Sequence, residues 1–144
     1  MDIRHSSLSP LLVLTAALGG GYCHADERCA GLVVTEIRSL AELPIDLRQQ
    51  LPGSTRGLSG IADRGRPFNA TDVVDDDLPM QRFILGAVGP TCAVIAVEHG
   101  GRAHYFELTE YQLIVEGWHS VWHSTMFVAP KTVRDLLLEH QSAQ

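Results

Sequence analysis

The sequence has little positive charge. Lys131 is the only lysine, and lysine and arginine together number 11 against 17 aspartate and glutamate residues, so the net charge is −6. The arginines are scattered along the chain rather than clustered. Because a nucleic-acid-binding surface needs a concentrated basic patch, the composition argues against a nucleic-acid partner.

Long hydrophobic runs are also missing. No stretch reaches the roughly 18 apolar residues of a membrane-spanning helix, and we predict no membrane span. The apolar run LLVLTAAL at 11–18 is much shorter and follows the cationic Arg4. It precedes three glycines and the segment Cys-His-Ala, in which Cys23 and Ala25 are small. This order is typical of a secretory signal peptide, which we place at residues 1–25, before one small domain at residues 26–144. A buried N-terminal helix and a lipoprotein anchored through Cys23 are the alternatives.

Cysteine is scarce as well. The three cysteines are Cys23, Cys29 and Cys92, and the first would leave with the signal peptide. In the oxidising compartment that export implies, two thiols of one small domain usually pair. We therefore predict a disulfide between Cys29 and Cys92, with two buried free thiols as the alternative. No second cysteine lies within three residues of either one, which argues against a CxxC redox motif.

The order of the hydrophobic patterns predicts an α+β domain. Strand-like segments alternate with turn signals, and leucines every four residues indicate a short N-terminal helix. We expect a two-layer α+β fold in which an antiparallel β-meander of about four strands packs with a C-terminal helix and a short N-terminal helix. The predicted strands lie at 31–38, 82–88, 92–99, 102–108, 111–115 and 118–127, and the predicted helices at 40–51 and 130–141.

The pair Gly100-Gly101 is predicted to be the two-residue loop of a β-hairpin. With this loop Val97 pairs with His104, and the alternation of side chains puts Phe106 on the same face of the sheet. This register gives the face an apolar middle, as a sheet packed on a core requires.

A second two-residue turn is predicted at Glu116-Gly117. It would place His123 opposite Glu110, which makes these two residues a candidate general acid/base pair. A cross-strand pair of this kind is more commonly a surface contact worth roughly a few tenths of a kcal/mol. Both interpretations stay open at this point.

Tryptophan and histidine alternate on the last predicted strand. Trp118 and Trp122 share one face, and we take them as candidate binding residues, although they would equally well cover a core. His119 and His123 share the other face and lie about 13 Å apart, too far to bind one metal ion. We therefore predict no metal site, since a zinc site would require this segment to be helical.

Residues 53–79 form the longest irregular stretch, with four glycines and two prolines. A loop of this length in a small domain is either functional or loosely ordered. Carboxylates at Asp72 and Asp75–Asp77 would suit calcium, but the spacing of a calcium-binding loop is missing. Asn69-Ala70-Thr71 matches a glycosylation acceptor. The candidate binding residues of this loop are Asp63, Arg64, Arg66, Asn69 and Asp72, whose side chains also commonly stabilise turns.

The usual catalytic signatures are absent. The sequence has no GxSxG, HExxH, P-loop or GxGxxG motif, and we predict no cofactor. This favours a non-catalytic protein, with a small enzyme of an unrecognised class or a metal-binding protein as the alternatives. The acid and base groups of such an enzyme would come from His104, His119, His123, Glu110 and Asp72.

The stretch IADRGRPFNATDVVDDDLPMQRFILGAV (61–88), followed by CAVIAVEHGGRAHYFEL (92–108), resembles small exported proteobacterial proteins of uncharacterised function. The resemblance implies a Gram-negative periplasmic location and brings no activity, ligand or site residues with it. We therefore expect a non-catalytic periplasmic domain that binds a protein or another ligand through loop 53–79 and the face of Trp118 and Trp122.

Overall fold

The computed structural model describes Cys29 and residues 33–142, so the predicted signal peptide lies outside the described residues. Six strands form one sheet, and the α+β class is confirmed. The prediction of about four strands is too low, because two further strands of only three and two residues also pair with the sheet. In chain order the elements are β1 (Thr35–Ile37), a 3₁₀ turn (Leu40–Glu42), α1 (Ile45–Arg48), β2 (Ile61–Ala62), β3 (Gln81–Val88), β4 (Cys92–His99), β5 (Tyr105–Ile114), β6 (Gly117–Met126) and α2 (Val133–Ser142).

Strands β3 to β6 form an antiparallel meander within the sheet order β1-β3-β4-β5-β6. The two strands predicted at 102–108 and 111–115 are parts of one long β5. β1 is antiparallel to the end of β3 and β2 runs parallel to its start, so both short strands share the outer side of β3. In the described part of the chain, no strand pairs with the outer edge of β6.

The hairpin between β4 and β5 has a longer loop than predicted. Val97 pairs with Glu107, so the loop spans residues 100–104 and the predicted pairing of Val97 with His104 is wrong by three positions. Side chains alternate along a strand, and an odd shift therefore moves every side chain of β5 to the other face of the sheet. Glu107 consequently occupies the face that had been assigned to Phe106.

Contacts with a distant segment explain the longer loop. The amide of Gly100 donates to the carbonyl of Met80 (2.9 Å), and the amide of Gly101 donates to the carbonyl of Asn69 (3.1 Å). A Cβ atom on Gly100 would lie only 1.7 Å from the carbonyl oxygen of Asn69. The two glycines therefore permit a close backbone approach between the hairpin and loop 53–79, rather than a two-residue turn.

The sheet buries both of its faces. On the side that we call the α1 face, Ile95 belongs to one core cluster with Leu47 of α1. On the opposite side, the α2 face, Val94 belongs to a second cluster with Leu136 of α2. The predicted two-layer arrangement is thus wrong, and the domain has three layers because both alternating sets of side chains in β4 are apolar.

The helix predicted at 40–51 is broken into two pieces. Ser39 caps the 3₁₀ turn by accepting a hydrogen bond from the amide of Ala41 (3.2 Å), and α1 begins only after Pro44. Proline lacks the amide hydrogen that a continuous helix would use at this position. The leucine spacing nevertheless predicts burial correctly, since Leu47 and its two partners four residues away are all buried on the α1 face.

The predicted disulfide is confirmed. Cys29 is bonded to Cys92 with their Cα atoms 5.7 Å apart and a sequence separation of 63 residues. Both cysteines are buried on the α2 face. The bond fastens Cys29 to the start of the central strand β4, and closing a loop of this length contributes about 4 kcal/mol in the chain-entropy model.

Candidate functional site

Loop 53–79 is ordered from within by Asn69. Its side chain is buried, its amide nitrogen donates to the carbonyls of Asp75 and Leu78 (both 2.8 Å), and its amide oxygen accepts from the Asp75 amide (2.8 Å). Both amide hydrogens of the side chain are therefore used inside the loop. Asn69 stabilises the loop, and in the folded protein its nitrogen is not exposed as a glycosylation acceptor.

Asp63 anchors the loop to the N-terminal segment. Its carboxylate accepts hydrogen bonds from the Ser39 hydroxyl (2.7 Å), the Leu40 amide (3.0 Å) and the Arg64 amide (2.8 Å). Burial raises the pKa of Asp63, but these hydrogen bonds and the charge of Arg66 together lower it by a larger amount. The pKa of Asp63 therefore lies below its ordinary value. Asp63 is consequently ionised at neutral pH and fixes one wall of the cleft described next.

A cleft of about 750 Å³ opens beside this anchor, within loop 53–79 and next to the end of β2. Exposed Arg56 and Arg66 contribute two guanidinium groups to its lining, and Asp63 and Asp77 contribute two carboxylates. Because the two carboxylates repel an anion, whereas guanidinium groups donate charge-assisted hydrogen bonds to it, the arginines are the groups of this lining that an incoming anion would contact. We call this the loop cleft.

The other candidate residues of the loop lie elsewhere on its surface. Arg64 and Asp72 are exposed, and neither lines the loop cleft. The structure therefore brings Asp63 and Arg66 together at one site and leaves Arg64 and Asp72 outside it, while Asn69 lies in the interior of the loop.

A β-bulge in β6 separates the two tryptophans. Glu110 pairs with Trp122 whereas Tyr111 pairs with Ser120, so Val121 is an extra residue in the strand. A bulge of this kind reverses the alternation of side chains beyond it. Trp118 is buried on the α1 face and Trp122 packs on the α2 face. The predicted common face of Trp118 and Trp122 is therefore wrong.

The predicted cross-strand pair of Glu110 and His123 is also wrong. His123 lies opposite Thr109 and is exposed, whereas Glu110 points to the α2 face. The partner of Glu110 is His140 of α2, whose Nε2 lies 2.7 Å from Oε2 of Glu110. A register difference of one residue accounts for the error, because it moves His123 to the other face of the sheet.

The pair of Glu110 and His140 is fully buried beneath α2, at 1% and 0% side-chain exposure. The rings of Trp122 and His140 pack at right angles, with their centroids 4.7 Å apart. Within residues 33–142, Oε1 of Glu110 has no hydrogen-bond partner. The sequence carried a signal for this pair, since His140 lies on the apolar stripe of the final helix.

Glu98 forms a second buried carboxylate cluster. Nε and Nη2 of Arg82 both donate to its Oε2 (2.9 and 2.6 Å), and Nε2 of His104 lies 2.7 Å from its Oε1. The Arg82 guanidinium also lies over the ring of Phe68, 4.2 Å from its centroid. His104, which the enzyme hypothesis would combine with Glu110 or Asp72, therefore has Glu98 as its carboxylate partner.

A second cleft of about 270 Å³ lies on the α1 face, between the end of the α1 segment and the sheet. Glu107, Thr109 and Tyr111 project into its lining from alternate positions of β5, and His99 does so from the end of β4. Nε2 of His99 lies 3.6 Å from Oε2 of Glu107. The Thr109 hydroxyl donates to Oε1 of Glu107 (3.1 Å). We call this the Glu107 cleft.

Two groups in the Glu107 cleft have altered proton affinity. Burial lowers the pKa of His99, and the nearby Glu107 carboxylate opposes this only in part. Burial and the charge of Glu107 raise the pKa of Tyr111. At neutral pH the side chains of His99 and Tyr111 are therefore both uncharged. Sequence analysis missed this site because the predicted hairpin register placed Glu107 on the opposite face.

Comparison of the chain with protein-family models, with curated proteins and with solved structures finds no match. The class of the protein therefore follows from its own structure, as a disulfide-bonded α+β domain with an ordered surface loop. Across Cys29 and residues 33–142, no group of three or more His, Cys, Asp or Glu side chains is arranged to hold a metal ion. The helices of that same region are all too short or too polar to cross a membrane.

Proposed function

We propose that this protein is a non-catalytic exported domain that binds a protein or another ligand through loop 53–79. The signal-like residues 1–25, the disulfide between Cys29 and Cys92, and the resemblance to small exported proteobacterial proteins support export. Together they favour the periplasm of a Gram-negative cell as its location. The tryptophan face is not part of the proposal, because its two members lie on opposite sides of the sheet.

The observation that carries this proposal is the internal order of the loop. Asn69 holds the loop from within and Asp63 anchors it, so the loop cleft exists before a ligand binds. A preorganised loop loses less conformational entropy on binding than a mobile one. Arg56 and Arg66 present planar guanidinium groups, which match the geometry of carboxylate and phosphate. The proposed point of contact on the ligand is therefore an anionic group.

The test compares the wild type with the double variant Arg56→Ala/Arg66→Ala and with a matched control, Arg48→Ala/Arg134→Ala. Arg48 and Arg134 are exposed arginines of α1 and α2 that do not line the loop cleft. The three proteins are cross-linked in periplasmic extract, and captured partners are quantified by mass spectrometry. Native mass spectrometry of each protein purified from the periplasm detects a retained small ligand.

We expect the wild type and the control to recover the same partner or ligand, and the double variant to recover about tenfold less, since charge-assisted hydrogen bonds are lost. Circular dichroism melting curves verify that all three proteins are folded. Equal recovery by a folded double variant would contradict the role of the loop cleft. Equal depletion in the control would show a general effect of charge instead.

A further inference from the structure

We infer that the Glu107 cleft binds a small organic ammonium group, with Glu107 and His99 as its hydrogen-bond acceptors. The site lies on the α1 face and is lined by neither Arg56 nor Arg66. The inference therefore goes beyond the proposed function of loop 53–79 and does not depend on it.

The acceptor geometry is the first argument. Oε1 of Glu107 accepts from Thr109, whereas Oε2 of Glu107 and Nε2 of His99 are 3.6 Å apart, beyond the range of a normal hydrogen bond between them. An ammonium group has three donors and no acceptor. One ammonium group beside these two atoms can donate a hydrogen bond to each of them. Oε2 and Nε2 are too far apart to form a normal hydrogen bond with each other.

The orientation of His99 is the second argument. Its ring stacks on the ring of Tyr105, with centroids 4.6 Å apart and an interplanar angle of 5°. The stack holds the imidazole in one orientation beside Glu107, and burial keeps it unprotonated at neutral pH. A neutral imidazole in the tautomer with its proton on Nδ1, which the proposal requires, offers a lone pair at Nε2, whereas an imidazolium ion would itself take the place of the cation.

The charge of the cleft is the third argument. Among the described residues that line it, Glu107 is the only one with a formal charge at neutral pH, and no lysine or arginine is present. The cleft thus carries a net negative charge with no cation of its own. An anionic ligand would meet repulsion from the Glu107 carboxylate, whereas a cation gains a partner in a partly desolvated site.

The size and walls of the cleft define the rest of the ligand. Its volume of about 270 Å³ lies just below the roughly 300–1,000 Å³ of typical ligand sites, so the ligand is small. Leu51, Pro52, Ile95 and Val97 provide apolar walls. An amine with a short apolar or aromatic body fits both the acidic side and the apolar walls of the cleft. Its ammonium group would lie at Glu107 and its body against the apolar side chains.

The probes for the test are benzylamine, benzyl alcohol and benzoate, which share one ring and differ in the charge of the polar group. Binding to the purified protein at pH 7.5 is measured by NMR titration and isothermal calorimetry. We expect saturable binding of benzylamine with a Kd of about 1 mM or tighter for so small a ligand. Benzyl alcohol should bind at least about tenfold more weakly because it lacks the charge, and benzoate should not bind.

Two variants test the residues. Glu107→Gln should weaken benzylamine binding at least about tenfold, and Glu116→Gln, at an exposed carboxylate of the β5–β6 turn, should leave it unchanged. Gln81→Lys adds an ammonium group to the lining of the cleft and should abolish binding while Glu107 and His99 remain in place. Absence of benzylamine binding, equal affinity for benzyl alcohol, or full affinity in Glu107→Gln or Gln81→Lys would each overturn the inference.

Discussion

Substitution of Asn69 offers a direct test of how loop 53–79 is held together. Asn69→Ala removes three hydrogen bonds of 2.8 Å to the backbone of Asp75 and Leu78. At about 1 kcal/mol of net stabilisation for each bond, the loss amounts to about 3 kcal/mol. Water can replace part of it, because Asp75 is exposed, so we expect a loss of about 2–3 kcal/mol.

Asn69→Asp is a sharper version of the same test. The substitution keeps the shape of the side chain but replaces the donating nitrogen by an oxygen that faces two carbonyl oxygens. At pH 7 we expect it to destabilise the protein more than Asn69→Ala does. The difference should shrink as the pH falls towards about 4, because two carbonyl oxygens favour the protonated carboxyl group in the folded state, and that group can donate again.

Urea denaturation at 25 °C, followed by tryptophan fluorescence, measures both variants by linear extrapolation. Thr71→Ala is the matched control, because Thr71 accepts only one exposed hydrogen bond, from Val73 (3.3 Å), in the same loop. It should cost less than about 0.5 kcal/mol. If Asn69→Ala costs no more than this control, the reasoning that the side chain holds the loop is refuted.

Three further predictions concern the core, the Glu107 cleft and the disulfide. Glu110→Leu should cost about 1–3 kcal/mol in urea denaturation because it removes the hydrogen bond between Oε2 of Glu110 and Nε2 of buried His140, and a cost below about 0.5 kcal/mol would contradict the importance of the pair. Since the folded-state pKa of His99 lies below its ordinary value of 6.5, the unfolded chain binds more protons as the pH falls below about 6.5, and stability should fall there. His99→Phe, which keeps a ring against its neighbour, should show a smaller loss of stability between pH 6.5 and 5, and an identical pH profile would refute this. Reduction of the bond between Cys29 and Cys92 should lower the free energy of unfolding by about 4 kcal/mol, whereas the Cys29→Ser/Cys92→Ser variant should not respond to reductant.

The features that the sequence predicted correctly have local or compositional signals. The β-rich apolar run of β4 and the apolar stripe of α2 are visible within each segment. The bond between Cys29 and Cys92 follows from a count of cysteines and the inferred compartment.

The errors arise where distant residues decide the local structure. The register of the β4–β5 hairpin depends on the carbonyls of Met80 and Asn69, which take the amides of Gly100 and Gly101. The sequence Gly-Gly alone does not indicate that these two carbonyls accept hydrogen bonds from its amides. The bulge at Val121 has no local signature either, and it alone separates the two tryptophans.

The Glu107 cleft could be predicted only in part. Glu107 and Thr109 alternate with the apolar residues Phe106 and Leu108, which indicates one polar face of a strand. The hairpin register decides on which side of the sheet this polar face lies. It also decides whether Glu107 lies close to His99. The predicted loop residues Asp63 and Asn69 proved to stabilise the loop, and whether the loop binds a ligand stays a prediction.

The contact between Gly101 and Asn69 makes loop 53–79 an inseparable part of the domain. Excising the loop would remove the acceptor of the Gly101 amide and loosen the hairpin that positions His99. Changes in loop length would therefore disturb both clefts at once, whereas exchanges of exposed side chains such as Arg56 and Arg66 would leave the backbone contact intact. Substitution of exposed side chains could therefore change the binding partner of this domain without disturbing the fold. Replacement of the whole loop would disturb the fold, because it would remove the contact between Gly101 and Asn69.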